Sequence, residues 1–118
     1  MDDTSYLDKV TMVPEVFYDS LDNTNKYPSS SQPSPKIIED LYSSLIKHYD
    51  EILVITVAKE QSGTYSVFSK AAEKFSVNGK RIEIIDSKQN SGAEGLLVLK
   101  AAELISKGLS LDNIIEVI

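Results

Sequence analysis

The sequence contains no cysteine, no tryptophan and one histidine, and no apolar run long enough to cross a membrane. Each absence removes a class of function. Without cysteine there are no disulfides and no thiolate metal sites, which fits a reducing compartment. A membrane helix needs about 20 apolar residues, so no transmembrane segment is expected. Basic residues are also scarce: 12 Lys and Arg stand against 18 Asp and Glu, a net charge of -6. No cluster of cations is available for phosphate backbones, which argues against nucleic acid and against an anionic membrane surface. The start, Met1-Asp2-Asp3-Thr4-Ser5, is acidic and polar, the reverse of a signal peptide. A cytoplasmic protein is expected.

Catalytic signals are equally sparse. His48 falls near the end of a helical pattern, where an imidazole interacts well with the helix terminus, and no nucleophile lies near it. The nucleophile-elbow pattern is absent, because Gln61 precedes Ser62. Glu39-Asp40 and Asp50-Glu51 lack the spacing of metal ligands. The residues point to a binding protein rather than an enzyme, with no cofactor and no bound metal.

What is present is an ordinary globular composition. The 118 residues are 42% hydrophobic and 25% charged, enough for one domain over residues 1–118. Val10 to Phe17 contains strand formers interrupted by Pro14: an edge strand, a bent one, or two short pieces. Residues 19–34 are rich in Asp, Asn, Ser and Pro and read as a loop within the domain. Ser34 caps a helix with Pro35 in its first turn. Ile37, Ile38, Leu41, Tyr42, Leu45, Ile46 and Tyr49 carry that helix to about His48 or Tyr49. Ile52 to Val57 is continuously apolar, as in a parallel strand buried on both faces. Tyr65, Phe68, Ala72 and Phe75 form a second helical stripe, Asn78-Gly79 a turn, and Ile82, Ile84 and Ile85 a second strand. A third helix begins near Ser91 or Gly92 and ends at Gly108, and Ser110 caps a fourth start.

This alternation predicts an α/β domain, a parallel sheet with helices on both faces. The apolar C-terminus, Ile114-Ile115-Glu116-Val117-Ile118, marks either a fragment of something longer or a lone domain with an exposed apolar end.

Right-handed crossovers bring the turns after Val57 and Ile85 to one edge of the sheet. Both turns are rich in hydroxyls: Ser62-Gly63-Thr64 opens one helix, and Asp86-Ser87 leads to the next through Ser91-Gly92. Hydroxyls and free amides at a helix start can hold an anion. The same three residues also serve as a plain helix cap, and the two roles are compatible. Ser29-Ser30-Ser31 reads either as a third hydroxyl-rich turn or as a linker. A phosphotransfer or kinase-related domain using the Ser-Gly-Thr loop for phosphate is the competing enzyme reading. It needs a phosphoacceptor or a carboxylate-held magnesium ion at the strand ends, where Asp86 is the candidate acid.

Three motifs in order resemble the DegV family. Tyr27-Pro28-Ser29-Ser30-Ser31-Gln32-Pro33-Ser34 is similar to its Thr-Ser-Gln-Pro-Ser segment, with Ser30 where Thr is usual. Ser62-Gly63-Thr64-Tyr65 matches its Ser-Gly-Thr-Tyr loop. Ile85-Asp86-Ser87, followed by Ser91, Gly92 and Gly95, matches its Asp-Ser strand exit. The resemblance covers residues 12 to 118. It implies a bacterial fatty-acid-binding protein of two α/β domains, with a long-chain fatty acid in an apolar tunnel between them. It further implies that Ser30 and Ser62 hold the carboxyl and that Ser31 and Thr64 support them. Gly63, Asp86 and Ser87 complete the ligand-binding set. A fatty acid kinase is the implied partner.

There are departures from the family pattern. The family's first strand, with its own Asp-Ser motif, has no counterpart here, nor does its second domain. Ala58 and Lys59 stand where Ser is common, and Val67-Phe68 replaces a smaller, more polar pair. An N-terminal DegV domain without its lipid-enclosing partner is therefore expected, with an apolar rim that favours self-association.

Overall fold

A computed structural model describes residues 4–24 and 26–118; the acidic residues at 1–3 lie outside the described residues. The chain forms two compact units, residues 1–31 and 32–118.

In the first unit, α1 spans Pro14–Leu21. The strand formers of Val10 to Phe17 predict an edge strand, a bent strand or two short strands here. Instead Pro14 opens a helix, where its missing N–H and fixed φ cost nothing. The segment read as a loop from residue 19 therefore begins after Leu21. Before α1, the Leu7 carbonyl accepts from the amides of Val10, Thr11 and Met12, and Lys9 sits at φ 58°. No side chain of α1 is buried.

The second unit follows the predicted alternation. α2 spans Pro35–Leu45, β1 Glu51–Thr56, α3 Thr64–Phe75, β2 Arg81–Asp86, α4 Ser91–Ser106 and α5 Leu111–Val117. Ser34 caps α2 by accepting from Ile37 N, as its sequence position predicts. α2 is shorter than its apolar stripe. After Leu45 the chain tightens into turns in which Lys47 and His48 donate to the carbonyls of Ser44 and Leu45. His48 is exposed beyond the helix end.

The strands pair in parallel, from Glu51 with Arg81 to Thr56 with Asp86. Because side chains alternate across a strand, each face receives its own set. Ile52, Val54, Ile82 and Ile84 face α2 and α3, where Ile38 and Tyr42 are fully buried with Ala71 and Ala72. Leu53 and Ile55 face α4 and α5, against Ala101, Leu104 and Ile114. Helices thus cover both faces. The strands are less buried than their continuous apolarity predicts, since β1 is mostly half-exposed in a sheet of two strands.

Local chemistry terminates the elements. Asn78 (φ 55°) and Gly79 (φ 83°) form the tight turn into β2, closed by Lys80 N donating to Val77 O at 3.1 Å. α4 ends in a two-bond cap around Gly108 (φ 77°). Leu109 N reaches Leu104 O and Gly108 N reaches Ile105 O. Ser110 then caps α5 by accepting from Asn113 N.

Candidate functional site

The parallel register brings both strand exits to one edge, and polar contacts bind the two exit loops together. Ala58 N donates to Gln89 O at 2.8 Å, Ser87 N to Thr56 O at 3.1 Å, and Asn90 Nδ2 to Gln61 Oε1 at 2.9 Å. The Ala58 carbonyl also accepts from Gln61 N and Ser62 N, closing the turn that leads to α3.

Ser62 and Thr64 meet at the start of α3. Their hydroxyl oxygens lie 2.8 Å apart, and Ser62 Oγ accepts from Thr64 N at 3.3 Å. Val67 N, the first intrahelical donor, reaches Gly63 O. The first amides of a helix have no acceptor inside it. Those of Tyr65 and Ser66 find none among the described residues. They carry the positive end of the helix dipole on a partly exposed turn.

Gly63 serves closeness rather than turn geometry. Its φ of -70° is open to any residue. A Cβ here would stand 2.8 Å from Gln32 Oε1 and 3.0 Å from Gln32 Nε2. The glycine lets the Gln32 amide lie against the Ser62 turn.

Asp86 ends β2 and reaches back across the loops. Its Oδ1 accepts from Lys59 N at 3.2 Å and Lys88 N at 3.1 Å. Its Oδ2 is buried and has no hydrogen-bond partner among the described residues. Burial pushes this carboxyl up, but the amides of Lys88 and Lys59 and the Lys59 ammonium outweigh burial and hold it below the usual carboxylate range. Ser87 is buried and turned back on its own loop, accepting from Gln89 N and donating to Gln89 O. Lys88 (φ 54°) and Ser91 (φ 52°) both take the left-handed conformation that side chains disfavour.

Five of the residues named from sequence, Ser62, Gly63, Thr64, Asp86 and Ser87, therefore share one sheet edge. Ser30 and Ser31 are exposed at the end of the first unit. Sequence reasoning missed Lys59 and the Gln61–Asn90 bridge as contributors. The signal was available: residues just past two paired strands of six residues each must be neighbours. Among the described residues no group of three His, Cys, Asp or Glu could hold a metal ion. No helix among them is long and apolar enough to cross a membrane.

The family model described as "Uncharacterised protein, DegV family" matches residues 1–118. A DegV domain-containing protein of Caldanaerobacter subterraneus is 34% identical over 118 residues, covering 100% of this chain and 41% of that protein. The chain thus spans about two fifths of that relative's length. Among solved structures, DegV of Bacillus subtilis, a fatty acid binding protein, has a TM-score of 0.83 and 32% identity over 92% of this chain and 38% of its own. A fatty-acid-binding DegV family protein of Thermus thermophilus has a TM-score of 0.81 and 26% identity, covering 92% of this chain and 38% of that one. With the family model matched over the whole chain and a relative 34% identical across it, this chain belongs to the DegV family.

Proposed function

We propose that this chain binds the carboxylate of a long-chain fatty acid at the start of α3, for presentation to a fatty acid kinase. The observation that carries the reading is the hydroxyl pair of Ser62 and Thr64 beside the amides of Tyr65 and Ser66, which have no acceptor among the described residues. Hydroxyls and helix amides stabilise a carboxylate through charge-assisted hydrogen bonds while leaving it accessible. Ser30 and Ser31 supply the remaining hydroxyls in this reading. Asp86 and Ser87 serve the same edge from behind, fixing the turn that carries Ser62. The acyl chain provides affinity at about 0.8 kcal/mol per buried CH2, in an apolar enclosure completed by a second domain of the whole protein. Self-association belongs to the same reading, because Leu96 and Leu99 on α4 are each 67% exposed.

The test is lipid analysis of the full-length protein purified from cells. Long-chain fatty acids are expected to co-purify with the wild type, and Ser62→Ala is expected to lower their occupancy about tenfold, the loss of one hydrogen bond to a charged group. Wild-type protein free of any acyl chain overturns the proposal. The kinase step is tested separately, by phosphorylation of the bound acid in the presence of the kinase.

A further inference from the structure

Lys59 stands where the two exit loops meet. Its backbone is fixed, because its amide donates to Asp86 Oδ1. Its side chain is 53% exposed, while that of Asp86 is 10% exposed. The ammonium lies 3.7 Å from Asp86 Oδ2, beyond hydrogen-bond length, and 5.9 Å from the centre of the Tyr65 ring. Tyr65 belongs to the first turn of α3.

Two consequences follow from this placement. The nine-tenths-buried Asp86 carboxylate has an oxygen with no hydrogen bond among the described residues, so a positive charge nearby is strongly favoured. That keeps Lys59 at the edge of the sheet. Neither contact, however, uses the ammonium's protons: the ion pair is loose, and an aromatic face attracts a cation without accepting a conventional hydrogen bond. Lys59 is therefore anchored by charge but retains its donors. Its aromatic neighbour is the ring of Tyr65, whose own backbone amide has no acceptor among the described residues. The Ser62 and Thr64 hydroxyls contribute at most a partial positive charge there, whereas Lys59 contributes a full ammonium, part of whose charge Asp86 offsets.

We infer that Lys59 is the counter-charge for the ligand's anionic head, a specificity-determining residue that selects a carboxylate over a neutral head of the same chain length. The inference rests on the fatty-acid reading above. Asp86 has two roles in it, holding the loop through Oδ1 and keeping the lysine in place through Oδ2.

The experiment compares palmitate with hexadecanol, bound to full-length wild type, Lys59→Met and Lys59→Arg. Methionine retains the apolar stem and removes only the charge. Lys59→Met is expected to weaken palmitate binding roughly three- to tenfold, the range for a half-exposed charge contact, and to leave hexadecanol unchanged. Lys59→Arg is expected to recover most of the palmitate affinity. Added salt should weaken palmitate binding more in the wild type than in Lys59→Met. Equal palmitate affinity in wild type and Lys59→Met overturns this inference and leaves the fatty-acid reading standing. An equal loss for both ligands also overturns it, because that is the signature of a structural role. A wild type that binds neither ligand removes the fatty-acid reading, and this inference falls with it.

Discussion

The two faces of the sheet are built differently. On the α2–α3 face, Tyr42 is fully buried and its ring meets Phe68 edge-on with centroids 5.9 Å apart and Phe75 at 5.8 Å. The α2 and α3 stripes interlock around it, and the exposed large apolar residues of these two helices are Ile37 and Leu41 on α2. On the other face the core residues are smaller in number and size, chiefly Ala101, Leu104 and Ile114. α4 there is apolar nearly all round, leaving Leu96, Val98, Leu99 and Ile105 exposed. A helix with apolar residues on every side is ordinarily covered on every side. Stability is therefore concentrated on one face, and the other keeps apolar surface in reserve.

Breaking the tight face should have the largest effect. Tyr42→Ala is expected to cost about 3–5 kcal/mol in denaturant unfolding, from lost ring contacts and the cavity left behind. A loss below about 1 kcal/mol would mean that the faces do not differ as described.

The same ring sets a pH limit. Burial pushes the Tyr42 phenol up to about 12 from an ordinary value of 10.0. The folded chain holds the proton longer than the unfolded chain does. Its contribution is complete below about pH 10 and is lost as pH rises toward 12. The expected loss is on the order of 2 kcal/mol. Alkaline unfolding of Tyr42→Phe, compared with wild type, checks this: the variant should lose less stability over that interval. Identical curves would remove Tyr42 as the source.

The smallest effect is expected on the open face. The double variant Leu96→Ser, Leu99→Ser should shift unfolding by no more than about 0.5 kcal/mol, because both side chains already meet solvent. Gel filtration of the same variant sharpens the comparison, with less self-association than wild type as the expected outcome. A stability loss comparable to that of Tyr42→Ala would show that these leucines are covered within the chain.

Much of this architecture was legible in the residues, and the exceptions have physical causes. α2, α3, β1 and β2 announced themselves by apolar spacing because each has a clear buried side. The Asn78-Gly79 turn and the Gly108 cap were legible because few other residues tolerate a positive φ there. α1 was not. Val10, Val13, Val16 and Phe17 favour strands, and Pro14 reads as a strand breaker until its place at the helix start is known. The site was half legible. Ser62-Gly63-Thr64 and Asp86-Ser87 are local patterns, each visible in its own segment. The Lys59–Asp86 and Gln61–Asn90 contacts join residues distant in sequence and exist only once the strand register is set. The closeness of Gly63 to the Gln32 amide likewise joins neighbours in space alone.

The parallel pairing of β1 with β2 has a kinetic consequence. Parallel strands cannot be closed by a hairpin, so the pair forms only when the intervening helix folds back across it. The β1–α3–β2 crossover, with α2 packed on it, is thus expected to be the segment organised at the rate-limiting barrier, and α5 to dock afterwards. Destabilising changes in α3 should slow refolding, whereas equivalent changes in α5 should mainly hasten unfolding.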